Sequence, residues 1–150
     1  MTCKNTVSPN WERIGDVAVD SGQVVIIDPS YIDGRWVVKP LQDVRQYRHK
    51  VTGKIVEYEK DFPNYEFVIP EFGQSAHQLL ATGEWERIVQ PVPFELSYNA
   101  ACHATRLPAR GGNFGGFATA VGTLDGDGQF PVFVERDDRG RILRLMVDFT

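Results

Sequence analysis

Short segments of β-branched and aromatic residues recur along this chain, and turn residues separate each segment from the next. The clearest segments are residues 24–27, 117–121, 130–134 and 141–149. Such residues fit the pleated, half-buried surface of a strand, and many short strands at a spacing of about 8–12 residues are typical of packed sheets. The pattern therefore predicts a mainly β fold: a two-sheet β-sandwich or flattened barrel with one short α-helix.

Local patterns also predict how some strands lie. Residues 24–27 are apolar at every position, which predicts a strand buried on both faces. Residues 141–149 alternate between apolar side chains and residues such as Arg144 and Asp148, which predicts one solvated face and pairing with residues 130–134 across a turn. Further strands are predicted at 14–20, 35–39, 65–69, 85–89 and 94–98, and a hairpin with few core residues at 44–60.

One segment has the period of a helix. Phe72, Ala76, Leu79 and Leu80 follow the spacing of an apolar stripe on one helix face. Ser75 lies near the expected N-terminus of the helix, and Gly83 follows the stripe at the position where helices commonly end. We therefore predict a helix over about residues 74–82.

Length and composition limit the classes of protein that fit. A chain of 150 residues predicts one β-rich domain, residues 1–150, with residues 1–12 as an irregular N-terminal arm. The net charge of −4 argues against a nucleic-acid partner, and no apolar run is long enough to span a membrane. The polar first residues contain no signal-peptide core, which predicts a cytoplasmic location where Cys3 and Cys102 stay reduced.

Two acidic, glycine-containing turns open strands near the two ends of the chain: Val19-Asp-Ser-Gly22 and Leu124-Asp-Gly-Asp-Gly128. The first resembles the catalytic loop of aspartic proteases, but Gln-Val-Val follows it where that loop continues with a small residue. The second resembles a calcium loop, but an EF-hand alignment places Phe130 at the required glycine and Arg136 at the required glutamate. Tight turns account for both segments. A divalent cation held by Asp20, Asp125 and Asp127, or completed by Asp28, stays open as an alternative, and no other cofactor is expected.

Three other motifs have ordinary structural explanations. The stretch Gly111–Gly116 lacks the spacing of a phosphate-binding loop and leads into a strand, so a β-bulge or a close approach of two backbones explains its glycines. Cys102 and His103 are neighbours on what is predicted as irregular or strand-like chain, where adjacent side chains point apart and do not act on each other. The basic residues between Arg45 and Lys54 are expected to form a solvated hairpin face.

The two ends of the chain together resemble a known family. The Val-Asp-Ser-Gly turn with its strand and Asp-Pro, the segment Gly115-Gly-Phe-Ala118, the segment Gly126–Val132 and the final strand from Gly140 to Phe149 carry the resemblance. The family is a group of bacterial and phage proteins called domain of unknown function 4241. The resemblance covers the ends and not the middle, residues 31–113. It implies a compact β-rich domain and brings no catalytic residues with it.

These observations favour a non-enzymatic bacterial or phage binding module whose partner is a protein or a small molecule. The expected site lies where the two acidic turns meet, with the Gly111–Gly116 stretch as a rim. Its candidate residues are Asp20, Ser21, Asp28, Asn113, Asp125 and Asp127. The alternatives are a hydrolase that uses the same carboxylates, with or without a divalent cation, and an assembly protein.

Overall fold

The computed structural model describes residues 10–124 and 126–150. Strands take up 41% of these residues and helices 14%, so the mainly β fold class is confirmed, and the described sheets do not close into a barrel. The strands are β1 (Trp11–Val19), β2 (Gln23–Ile27), β3 (Trp36–Val37), β4 (Gln46–His49), β5 (Ile55–Glu57), β6 (Val68–Ile69), β7 (Gln74–Ser75), β8 (Trp85–Arg87), β9 (Leu96–Ser97), β10 (Gly111–Phe114), β11 (Ala118–Gly122), β12 (Gly128–Arg136) and β13 (Ile142–Val147). The helices are α1 (Ser30–Arg35), α2 (Ala76–Ala81) and α3 (Tyr98–Thr105).

The strands of this part of the chain form small sheets. Three sheets have three strands each, in the orders β1-β12-β13, β10-β11-β2 and β5-β4-β8, and all their pairings are antiparallel. The pairs β3-β9 and β6-β7 are shorter, and β3-β9 is parallel. The predicted C-terminal hairpin is confirmed, because β12 pairs with β13 across the turn at residues 137–141.

Two clusters of buried side chains hold these elements together. The first, here called the hairpin core, lies between the β5-β4-β8 sheet and α2 and comprises Tyr47, Val56, Phe62, Ile69, Ala76, Leu79 and Trp85. The second, here called the alanine core, lies between α3 and the β10-β11-β2 sheet and comprises Leu96, Ala100, Ala101, Ala104, Phe114, Ala118 and Ala120. Alanine side chains on both elements let the helix lie close to the sheet.

Helix α2 is the helix that the sequence predicts. Ser75 is its N-cap, and the Ser75 hydroxyl and the Gln78 side chain bond each other's backbone N–H groups in a capping box. Ala76 and Leu79 are buried, and Phe72 and Leu80 pack against the same cluster, as the apolar stripe requires. Gly83 has a φ of +73° just after the helix, the left-handed conformation that glycine adopts easily. No helix of residues 10–124 and 126–150 is long and apolar enough to cross a membrane.

Several predicted elements differ from the structure. The hairpin at 44–60 was expected to have few core residues, and this is wrong, since Tyr47 and Val56 are buried in its centre. Strand β1 starts at Trp11, so the end of the predicted arm is strand, and residues 1–9 lie outside the described part. The predicted strands at 35–39 and 65–69 shrink to two residues each.

The predicted strand at 94–98 is the largest local error. Only Leu96–Ser97 form a strand, and Tyr98 begins α3. The hydroxyl of Ser97 accepts a hydrogen bond from Ala100 N at 3.0 Å, which is the N-cap contact that starts a helix. Three alanines follow within the helix, and alanine has the highest helix propensity.

Candidate functional site

The two acidic turns lie against each other. Val19, the last residue of β1, is paired with Gly128, the first residue of β12. Thr123 N donates to Gly22 O at 2.9 Å, and Thr123 Oγ1 donates to Gly126 O at 2.6 Å. A Cβ on Gly22 would lie 3.7 Å from Gly126 Cα. The structure therefore brings Asp20 and Ser21 next to the turn that carries Asp127.

The carboxylates of these turns do not belong to a metal-ligand cluster of the described residues. Across residues 10–124 and 126–150, no three His, Cys, Asp or Glu side chains lie close enough together to hold a metal ion. Asp125, one of the three predicted ligands, lies outside the described residues. A divalent cation therefore has no group of three ligands among the side chains that the structure describes.

Strand β2 joins the two turns to a second part of the site. Val25 and Ile27 pack against the alanine core, so Val24 and Ile26 point to the opposite side of the sheet. Ile26 is 57% exposed, and the prediction that residues 24–27 are buried on both faces is wrong. The reason is that α3 covers only one face of this sheet.

The neighbouring strands extend this exposed surface. Ile26 is paired with Thr119, Thr119 with Asn113, and Val24 with Val121. Thr119 Oγ1 donates to Asn113 Oδ1 at 2.6 Å across the strands. We call this side of the sheet the outer face, formed by Val24, Ile26, Asn113, Thr119 and Val121. Asn113, a candidate site residue, lies on its β10 edge.

An aromatic group borders the outer face at the turn between β10 and β11. The rings of Phe117 and Tyr31 are 4.6 Å apart, and the guanidinium of Arg35 lies 5.1 Å and 5.5 Å from their centres. Phe117 is 46% exposed. A groove of about 290 Å³ runs beside it, lined by Asn113, Gly116, Phe117, Ala118 and Thr119.

Glycines shape this turn, as the sequence predicts. A Cβ on Gly111 would lie 2.8 Å from Ala120 O, so the close approach of two backbones is confirmed. Gly115 has a φ of +57°, and a Cβ there would lie 2.9 Å or less from Glu95 and Leu96. Phe94 is 89% exposed and its ring lies 3.6 Å from the Cβ position of Gly116. The Gly111–Gly116 segment is strand β10 and its turn, with no helix N-terminus behind it.

Carboxylates stand at both ends of the outer face. Asp20 lies in the turn before β2 and Asp127 in the neighbouring turn before β12, whereas Asp28 and Asp33 follow β2. Within the described ranges, none of these four carboxylates forms an ion pair with a Lys, Arg or His side chain within 4.0 Å. Asp28 Oδ1 accepts a hydrogen bond from Ser30 N at 2.9 Å, which holds the pKa of Asp28 below its usual range.

Helix α3 lies on the inner side of the same sheet and presents Cys102 to β2. Gln23 Nε2 donates to Cys102 Sγ at 3.3 Å, and the thiol is buried. A hydrogen bond with Cys102, partial burial and the nearby charge of Asp20 raise the pKa of Tyr98. His103 lies on the same helix and not on a strand, and it contacts the main chain of Gln42 instead. Cys102 and His103 thus contact different groups. The sequence predicts that they point apart on a strand, whereas they are consecutive residues of a helix.

The sequence located part of this site and missed part. Asp20, Ser21, Asp28, Asn113 and Asp127 all lie on or beside the outer face. The apolar and aromatic components were missed: Val24, Ile26, Tyr31, Phe117 and Val121. A β-branched run gives no signal of which face stays open, since that depends on how distant elements pack. Comparison with protein-family models, curated proteins and solved structures returned no match.

Proposed function

We propose that this protein is a non-enzymatic interaction module that binds another protein through its outer face. The observation that carries the proposal is an exposed apolar sheet surface with an aromatic and arginine border. The resemblance of its two ends to a bacterial and phage family extends the proposal to a protein of that origin. The two acidic turns, which belong to the two ends that carry the resemblance, contact each other, and this supports treating both ends as parts of one unit.

The composition of the surface favours a protein partner. Ile26, Phe117 and Phe94 are 57%, 46% and 89% exposed; Ile26 lies on the outer face, and Phe117 and Phe94 lie at the β10–β11 turn that borders it. Contiguous exposed apolar surface is a common mark of interaction sites. Aromatic side chains and arginine are enriched at the centres of protein interfaces, and Phe117, Tyr31 and Arg35 form such a group.

The charges around the outer face indicate the chemistry of the partner. Asp20 and Asp127 stand at one end of β2, and Asp28 and Asp33 at the other, without basic partners in the described part. Charge complementarity steers association and selects partners. A segment with an apolar centre and basic ends would place apolar side chains on Ile26 and Phe117 and basic side chains at the carboxylates. We therefore commit to a basic protein segment as the occupant.

The test measures binding of two labelled peptides by fluorescence anisotropy, one with a valine centre and arginine ends and one with a valine centre and glutamate ends. We expect saturable binding of the valine–arginine peptide at low salt. Ile26→Ser should weaken this binding, because it removes the apolar contact without changing the charge. Asp20→Asn with Asp127→Asn should weaken it about tenfold or more, since two charge contacts are lost.

Asp138→Asn is the matched control, because Asp138 is an exposed acid in the β12–β13 turn. It lies at the other end of β12, a strand of nine residues and therefore about 30 Å long. This variant should bind like the wild type. Equal binding of both peptides, or equal loss in the Asp138→Asn variant, would refute the proposal. A concentration-dependent dimer that Ile26→Asp dissociates would assign the outer face to a second copy and refute the basic segment as its occupant.

A further inference from the structure

A second candidate site lies on α3, away from the outer face. The residues after β8 and the C-terminal end of α3 enclose a small pocket lined by Val44, Arg87, Ile88, Gln90, His103 and Arg106. Its cavity volume is about 10 Å³. That is about the space that one water molecule or one oxygen atom of a larger group occupies.

One guanidinium nitrogen in this pocket has no partner. Arg106 Nη2 donates to Asp43 Oδ1 at 2.6 Å. Its other terminal nitrogen, Nη1, is buried and forms no hydrogen bond in the described part of the chain. A buried charged donor without an acceptor is costly, so an acceptor at this position would be stabilising.

Positive charge is in excess around the pocket. Asp43 forms ion pairs with both Arg45 and Arg106. Two guanidiniums therefore share one carboxylate, and the third, that of Arg87, lines the pocket without an acidic partner among the described residues. Burial opposes ionisation of Asp43, yet the hydrogen bonds and charges of Arg45 and Arg106 hold its pKa below the usual value.

His103 adds a neutral polar group to the same wall. Burial, followed by the charge of Arg106 and a smaller effect of Arg87, lowers the pKa of His103, while Asp43 and the main chain of Gln42 act in the opposite direction. The imidazole is therefore uncharged near neutral pH. The net positive charge of the pocket thus comes from the arginines.

We propose that this pocket binds an oxyanion, with one oxygen of a phosphate or carboxylate group accepting from Arg106 Nη1 and the remaining charge stabilised by Arg87. Arg87 lines the same pocket, is exposed to solvent and forms no ion pair with the described residues, so its guanidinium is free to bind a second oxygen of the anion. Arginine is the residue that best matches planar and tetrahedral oxyanions. Neither the acidic turns nor the outer face takes part in this site.

The test is a titration with inorganic phosphate and, separately, with acetate at constant ionic strength, followed by isothermal calorimetry and by the amide resonances of residues 88–90 and 103–106. We expect saturable phosphate binding that Arg87→Gln weakens about tenfold, the effect of one lost charge-assisted hydrogen bond. Acetate that binds as well as phosphate would indicate a carboxylate ligand, and phosphate binding alone would indicate a phosphate ligand. Both results support the site.

Arg87→Gln is the informative variant because Arg87 has no acidic partner to leave unpaired, unlike Arg106. Thermal unfolding checks that the variant is folded. Arg139→Gln is the control, since Arg139 is an exposed cation of the β12–β13 turn whose side chain is in no ion pair of the described residues. It should bind phosphate like the wild type. Absence of saturable binding by either anion, or equal affinity in the Arg87→Gln variant, would overturn the proposal and assign the pocket to water.

Discussion

The β5-β4-β8 sheet and the β10-β11-β2 sheet each expose one face. The two faces differ in whether the charged side chains around them are paired. Every basic side chain between residues 45 and 54 has a partner: Arg45 bonds Asp43, Arg48 bonds Glu86, His49 lies 3.6 Å from Glu84, Lys50 bonds Gly83 O and Lys54 bonds Glu71. The outer face instead exposes apolar side chains between carboxylates that have no basic partner in the described residues.

This difference distinguishes a solvent-exposed surface from a candidate protein-binding surface. Exposed ion pairs add little stability, so the pairs of the hairpin do not explain why it folds. They do leave that surface with few unmatched charges to attract a binding partner, as expected for the solvated face that the sequence predicts. The outer face has both an apolar centre and unmatched charge, and this combination makes it the better candidate for recognition.

The largest expected effect on the free energy of unfolding comes from comparing a buried aromatic residue of the hairpin core with an exposed one near the outer face. Trp85→Ala should lower the free energy of unfolding by about 3–5 kcal/mol, since it removes a large buried side chain from the hairpin core. Trp85 is 7% exposed and packs edge-on against Phe72 at 5.3 Å. Phe94→Ala should change stability by less than about 0.5 kcal/mol, because Phe94 is 89% exposed.

Urea unfolding followed by circular dichroism measures both variants. A loss of more than about 2 kcal/mol in Phe94→Ala would show that this ring is a core residue, which would take Phe94 out of the recognition surface.

A smaller effect is expected at the turns of the two sheets. Gly115→Ala should cost about 2–4 kcal/mol, because its φ is +57° and its Cβ would overlap Leu96 and the backbone of Glu95. Gly53→Ala, in the β4–β5 hairpin, should cost only about 1–2 kcal/mol, since its φ is +73° but no atom lies within 4 Å of the Cβ position.

Thermal or urea unfolding of the two variants gives the difference directly. Equal losses would mean that backbone conformation alone determines the cost and that the Gly115 turn is not tightly packed. The contrast would then fail to distinguish the rim of the outer face from an ordinary hairpin turn.

The parts of the fold that the sequence predicts are those with local causes. Helix α2 has its cap, its stripe and its terminal glycine within twelve consecutive residues, 72–83. The β12–β13 hairpin has alternating residues around a turn in which Asp137 Oδ1 accepts from two backbone N–H groups. Helix α3 was missed because Phe94, Leu96 and Tyr98 favour a strand locally, whereas Ser97 and the alanines after it form the helix.

The candidate site could be predicted only in its polar residues. Aspartate and glycine mark turns whatever surrounds them, so Asp20 and Asp127 stood out, and the β1–β12 pairing brought their turns together. The exposure of Ile26 depends on α3 covering one face of the sheet and nothing described covering the other. That is a property of packing between residues far apart in the chain, and no pattern within residues 24–27 contains it.

The smallest expected effect tests the charges themselves, through two substitutions that each remove a negative charge but should change stability in opposite directions. Glu86→Gln should lower the free energy of unfolding by about 0.2–1 kcal/mol, because it breaks the ion pair with Arg48, in which Arg48 Nη2 lies 2.9 Å from Glu86 Oε1. Asp127→Asn should leave stability unchanged or raise it slightly, since it removes an unpaired carboxylate from a chain of net charge −4. Raising the salt concentration from about 0.05 M to about 0.5 M should shrink both effects, because these charges are exposed and salt screens them. If Asp127→Asn destabilised the protein more than Glu86→Gln, the Asp127 carboxylate would have a stabilising role within the fold, and the distinction between matched and unmatched charge would not hold.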